Sequence, residues 1–236
     1  KLMFMVGWAE RGDGLATGHG NSVPRFHVSW GTGTGVIKPF VDKAYEAQQK
    51  GLLQMQFRHR VTELIVSDNR ITGVKGDLLE MDDKERGITT NRNVIAPFRY
   101  HASHVIIASG GIGANLDMVR SNWPERLGKA PENMICGVPS YVDGKMIDIS
   151  ELHGAHIINR DRMWHYTEGI QNWNPIWPRH GIRILPGPSS LWFDAKGNRL
   201  PAPFLPGFDT LGTLKYIQDT GFSYSWFILT QKIIKK

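Results

Sequence analysis

The sequence predicts an α/β protein, in which helices, a small β-meander and a strand–turn–helix unit come first and a shorter α+β segment follows. Three observations carry this reading. Apolar residues recur at helical spacing over residues 36–50, short apolar runs flank Asp68 and Asn69, and an apolar run at 105–108 ends in glycines ahead of a helix signal.

Taken in order, the chain begins with a glycine-rich stretch. Gly7, Gly12, Gly14, Gly18 and Gly20 lead to Gly31-Thr32-Gly33-Thr34-Gly35 with little periodicity, which reads as irregular backbone that a ligand can approach. Ile37, Phe40, Val41, Ala44 and Ala47 then mark a helix from Val36 to Lys50, with Pro39 in the first turn and Gly51 as the stop. Leu53, Met55 and Phe57 alternate, Val61, Leu64 and Val66 follow, and Asp68-Asn69 turns the chain into Ile71 to Val74, giving the meander. Residues 81–93 are polar, as an exposed hairpin tip would be.

Val105-Ile106-Ile107-Ala108 reads as a buried strand ending in Ser109-Gly110-Gly111-Ile112-Gly113, with Asn115 capping a helix to Arg120 and Pro124 beyond it. A further helix is expected from Gly144 to His153, with Asp143 as its cap, Met146, Ile149 and Leu152 facing inward, and Gly154 ending it. Beyond Arg160, Trp164, Trp173 and Trp177 sit among prolines and glycines, as in an aromatic-lined loop region. Residues 191–199 read as a hairpin, and a helix begins at Asp209 and reaches about Thr220, with Gly221 behind it. The best division falls between residues 163 and 164.

Composition narrows the function classes. Of 236 residues, 41% are hydrophobic and 21% charged, and no apolar run reaches the roughly 18 residues of a membrane span. The net charge of +6 is scattered without a basic run, so nucleic-acid binding is not singled out. Cys136 is the single cysteine and cannot form an internal disulfide, which makes a reducing cytoplasm the expected compartment. Its apolar neighbours suggest a buried, inert thiol. His101, His104, His153 and His156 lack accompanying acidic or cysteine ligands, so no metal site is expected. The opening Lys1-Leu2-Met3-Phe4 and the closing Gln231 to Lys236 suggest a piece of a longer protein.

The order of Arg60-Val61-Thr62-Glu63-Leu64, Arg70-Ile71-Thr72-Gly73-Val74 and Val105 through Asn115 resembles the FAD-binding domain of the fumarate reductase, succinate dehydrogenase and 3-ketosteroid dehydrogenase flavoproteins. Asp143-Gly144-Lys145-Met146 through Gly154-Ala155 is similar to that family's "GDGxxMAxxAGA" helix. Asn21 through His27 is similar to the segment leading into its glycine loop near the flavin. The resemblance implies a partial, Rossmann-like FAD-binding domain over residues 1–163, lacking the N-terminal GxGxxG unit, and part of an α+β capping domain over 164–236. It implies FAD as cofactor, with the Val61 backbone against the adenine and Ala108, Ser109, Gly110 and Gly111 against the adenosine. Asn115, Gly31 and Gly33 are further cofactor candidates.

On the substrate side, Trp164-His165-Tyr166-Thr167 resembles the "HPT" element that holds a substrate carboxylate in fumarate reductases, and residues 191–200 resemble "LVNxxGKRF". His165 and Thr167 are therefore substrate-binding candidates, with Arg183 beside them, and Tyr166 and His165 are candidates for proton transfer. The proton-donating arginine of fumarate reductases has no counterpart in residues 200–203 or 208–211, which argues against fumarate reduction. The function this implies is flavin-dependent dehydrogenation or reduction of a carbon–carbon bond next to a carbonyl or carboxylate, on a small-molecule substrate. A non-catalytic binding or interaction module exposing Trp164, Trp173 and Trp177 stays open beside it.

Overall fold

The computed structural model describes residues 2–4, 27–29, 31–85, 87–163, 165–184, 191–204 and 210–231. The early glycines at 7–20, the stretch 21–26, Trp164 and Asp209 lie outside the described residues. The chain is a mixed α/β structure, and every described sheet is antiparallel.

Strands β1 (Leu2–Phe4) and β2 (His27–Ser29) pair first, and helix α1 (Thr32–Gln49) follows. The helix starts four residues before the sequence-based expectation, so Gly33 lies in its first turn and not in irregular backbone. Gly31 takes the cap position at φ 88°, Gly35 N–H donates to its carbonyl at 3.0 Å, and the Thr34 hydroxyl donates to the same oxygen at 2.7 Å. Those bonds overcome the weak helix propensity of the three glycines. Pro39 consequently sits inside the helix and not in its first turn, where it leaves the Gly35 carbonyl without its i→i−4 donor.

The meander forms as expected from β3 (His59–Ser67), β4 (Arg70–Leu79) and β5 (Val94–His101), in the order β3-β4-β5. Asp68 and Asn69, at φ 49° and 59°, make the two-residue turn between the first two strands. Leu53, Met55 and Phe57 do not form a strand; Leu53 and Phe57 are exposed and the ladder begins at His59. The β4–β5 connection is held in shape by Arg58, whose guanidinium donates to the Glu80 and Asn91 carbonyls at 2.8 and 2.7 Å. The Asp82 carboxylate accepts the Asn91 and Lys84 N–H groups at 2.6 and 3.0 Å.

The 105–108 strand is absent. No described strand pairs with this run, and Ile106 is 92% exposed. A parallel strand is built by its lateral neighbours as much as by its own apolar residues, and none is described here. After it, α2 (Leu116–Ser121) and α3 (Lys145–Leu152) form as expected. Asn115 Oδ1 accepts the Met118 N–H at 3.0 Å and caps α2. The cap of α3 is Gly144 and not Asp143, because the backbone there turns through φ 81° and a Cβ would lie 2.5 Å from Met118 Sδ. Asp143 still accepts the Lys145 N–H at 3.2 Å. Leu152 faces outward, at 81% exposure, since the helix ends there and Gly154 turns the chain away.

The later segment carries β6 (Gly169–Gln171) paired with β7 (Gly181–Arg183), and β8 (Leu191–Phe193) paired with β9 (Trp226–Ile228), with α4 (Thr210–Asp219) between the last two strands. Trp192, Leu200 and Ile217 form a buried cluster, against which Phe204, Tyr216 and Phe227 pack. Of the tryptophans expected on the surface, Trp173 is exposed, but Trp177 is half-buried: it stacks on His180 at 3.7 Å and its Nε1–H donates to the Cys136 carbonyl at 2.9 Å. Cys136 is buried, and burial pushes its thiol pKa up. Among the described residues no helix is long and apolar enough to cross a membrane.

Candidate functional site

A cavity of about 1410 Å³ opens between the segment that follows the glycine turn and the segment that begins at residue 165. Five of the candidates from sequence line it: Gly111, His165, Tyr166, Thr167 and Arg183. Asn115 lies instead in a smaller groove of about 420 Å³ with Arg179 and Asp143. Gly31, Gly33, Val61, Ala108, Ser109 and Gly110 line neither space.

His165 and Thr167 follow each other at i and i+2 just ahead of β6, and both present polar atoms that are covered yet unmatched. His165 Nε2 and Thr167 Oγ1 are buried without a hydrogen-bond partner. Burial, and secondarily the charge of Arg126, hold the imidazole below the usual histidine range, so it is neutral near pH 7. Its ring lies 4.5 Å from that of Trp123, at the C-terminal side of α2, and Trp123 Nε1 is likewise buried and unmatched.

Tyr166 lies on the same wall. The Arg183 guanidinium sits 3.9 Å from the centre of its ring, and Arg183 Nε is 3.7 Å from Glu168 Oε2. Glu168 is buried, and its carboxylate faces the guanidinium that stands over the Tyr166 ring, an ion pair without a hydrogen bond to Oε2. Sequence reading missed Glu168, Trp123 and Gln218, which also lines the cavity. No local signal marks them, because Trp123 and His165 stand 42 positions apart in the sequence and meet only in the folded chain.

The glycine turn is shaped for close approach by a ligand. Ser109, Gly110 and Gly111 are exposed, Gly110 holds φ 91°, and a Cβ built at Gly111 would meet nothing within 4 Å. Such bare backbone suits a ribose or phosphate, so the residues present fit a dinucleotide cofactor. Val61 is half-buried in β3 opposite Gly76, next to a bulge between Val61 and Glu63 that leaves Thr62 out of the ladder. His101, His104, His153 and His156 are all exposed.

Residues 4–236 match the family model described as "FAD binding domain". The chain is 56% identical over 232 residues to a KsdD-like steroid dehydrogenase of Mycolicibacterium smegmatis, covering 98% of this chain and 42% of that protein. It is 55% identical over 236 residues to a KsdD-like steroid dehydrogenase of Mycobacterium tuberculosis H37Rv, covering 100% of this chain and 41% of that protein. The chain thus spans about two fifths of the length of these curated relatives. With nearly every residue inside the match and a backbone turn that fits the group, the chain belongs to the FAD binding domain family, and FAD is its cofactor.

Proposed function

We propose that this chain is part of an FAD-dependent oxidoreductase that removes or adds hydrogen across a carbon–carbon bond next to a carbonyl, in a flat, largely apolar substrate of steroid type. The observation that carries the reading is the meeting of Gly111, from the cofactor turn, with His165, Tyr166, Thr167 and Arg183 around one cavity. The names of the relatives, both steroid dehydrogenases, support the substrate class. The cavity exceeds the roughly 300–1,000 Å³ of common ligand pockets, and so offers room for a substrate beside part of a cofactor.

In this reading residues 1–163 contribute to the FAD-binding domain and 164–236 to the cap. Ala108, Ser109, Gly110 and Gly111 hold the adenosine part of FAD by backbone, Val61 lies along the adenine, and Gly31, Gly33 and Asn115 shape the surrounding turns. FAD supplies hydride acceptance or donation when bound. His165 and Thr167 hold the substrate oxygen by neutral hydrogen bonds, and Tyr166, with the Arg183 guanidinium over its ring, moves the proton on the neighbouring carbon. Arg183 has its charge balanced by Glu168, which leaves it as a positioning group more than an anion receptor.

Two measurements test this. The visible spectrum of the purified protein, taken after incubation with FAD and gel filtration, should show retained flavin absorbance. In the complete FAD-loaded protein, Tyr166→Phe should slow anaerobic flavin reduction by a ketosteroid by about 10²–10⁴-fold while leaving flavin content unchanged. A colourless protein, or an unchanged reduction rate, overturns the corresponding part of the reading.

A further inference from the structure

The side of the cavity bearing Trp123, His165 and Thr167 combines three polar atoms in an unusual state. Trp123 Nε1, His165 Nε2 and Thr167 Oγ1 are each shut away from water without a hydrogen-bond partner. Folded proteins leave few such atoms, and each one found calls for an explanation. The indole N–H can only donate, so it demands an acceptor, and the tilted contact with His165 at 4.5 Å stacks the rings without supplying one.

The chemistry of the missing partner follows from the charges around it. The imidazole is kept neutral by burial and by Arg126, and tryptophan and threonine carry no charge. Of the cationic side chains of the cavity wall, Arg160 pairs with Glu151 and Arg183 with Glu168, Arg162 shares Asp161 with Arg126, and Lys129 and Arg179 stand elsewhere in the lining. Much of the remaining lining is aliphatic, including Ile112, Ile135, Val138, Ile157 and Ile182. An ionised carboxylate would find no unmatched cation among these three donors, whereas a ketone oxygen needs only N–H and O–H groups.

We propose that Trp123 is a specificity-determining residue that donates its indole N–H to an uncharged acceptor oxygen of an otherwise apolar substrate, with His165 and Thr167 completing the oxygen pocket. This rests on the reading of the cavity as the substrate chamber. In this complex the ligand oxygen satisfies an indole N–H that is unmatched in the ligand-free chain. Gln218, whose Nε2 donates to the Lys129 carbonyl at 2.7 Å, lines the same cavity with its Oε1 unmatched and is the place for a substrate hydroxyl or water.

The test uses the complete FAD-loaded protein and two probes of equal shape, androst-4-en-3-one and its deoxy counterpart androst-4-ene, with affinity read from the perturbation of the flavin spectrum. Wild type should prefer the ketone. Trp123→Phe, which keeps a flat ring and removes the donor, should weaken ketone binding about tenfold and leave the hydrocarbon unchanged. Thr167→Val, of the same shape without the hydroxyl, gives an independent reading of the pocket should the tryptophan variant fold poorly. Equal loss for both probes, or none, in the variants overturns the oxygen pocket and leaves the substrate chamber standing. Failure of wild type to bind either probe overturns both.

Discussion

Asp194 shows how one side chain sets a turn and records it in a pH response. Its carboxylate accepts the Asn198 side-chain N–H at 3.0 Å and the backbone N–H groups of Asn198 and Lys196 at 2.8 and 2.9 Å, closing the 194–198 turn between β8 and Leu200. The Asn198 side chain, helped by those two N–H groups, holds the carboxyl below the usual aspartate range. A depressed folded-state value stabilises the fold above the unfolded value near 3.9 and loses that contribution as pH falls through the folded value. Asp194→Asn should therefore lower the melting temperature at pH 7, and the gap to wild type should close on acidification below about pH 4. Thermal unfolding followed from pH 7 to pH 2 checks this, and a gap that widens in acid would sink it.

At the scale of elements, Asn115 illustrates a residue with two possible occupations. As a member of the family's glycine-turn motif it is a cofactor candidate, yet its side chain is fully engaged within the fold: Oδ1 caps α2 and Nδ2 donates to the Asp143 carbonyl at 3.1 Å. Asn115→Ala should cost about 1 kcal/mol by urea unfolding, and Asn115→Asp, an equally good cap that lacks the amide donor, should recover part of it. A loss of FAD without loss of stability would assign the residue to the cofactor instead. Local elements were legible where the signal is local: the Asp68-Asn69 turn, the Asn115 cap and the Gly154 stop follow from residues close in sequence, and of the 191–199 hairpin the Asp194 turn and one Phe193–Arg199 bridge form, while the ladder partner of β8 is the distant β9. The 105–108 run was misread because an apolar stretch states only that it seeks burial, and the partner that would make it a strand is not written in it. The start of α1 was missed for the opposite reason, since three glycines signal a break while the Gly31 carbonyl gathers bonds that make one turn more. The site was half legible: His165, Tyr166, Thr167 and Gly111 came with the family pattern, whereas Trp123 and Glu168 enter through contacts that only the folded chain creates.

At the scale of the molecule, apolar side chains stand open at several places among the described residues, α1 and the 105–108 run among them. Helix α1 has no buried residue and turns Ile37 and Phe40, at 54% and 70% exposure, to the outside, and Ile106 and Ile107 are open as well. Surfaces of this kind favour association. The 236-residue chain should therefore self-associate in a concentration-dependent manner, and Phe40→Glu should weaken that association by about tenfold or more, given the ~1.5–3 kcal/mol that burial of a phenylalanine contributes. Sedimentation velocity over a hundredfold range of concentration measures it, and a strictly monomeric wild type contradicts it.

The open run at 105–108 also joins two equilibria. It leads directly into Ser109, Gly110 and Gly111, so the backbone that remains outside any described ladder and the backbone suited to the cofactor are one continuous strip. A ligand that binds this turn only when the strip is ordered shifts the strip toward order by mass action, by about 2.7 kcal/mol at a hundredfold excess over its dissociation constant. The yellow of bound flavin would then serve as a gauge of maturation, deepening as the strip settles and fading first when heat or denaturant loosens it.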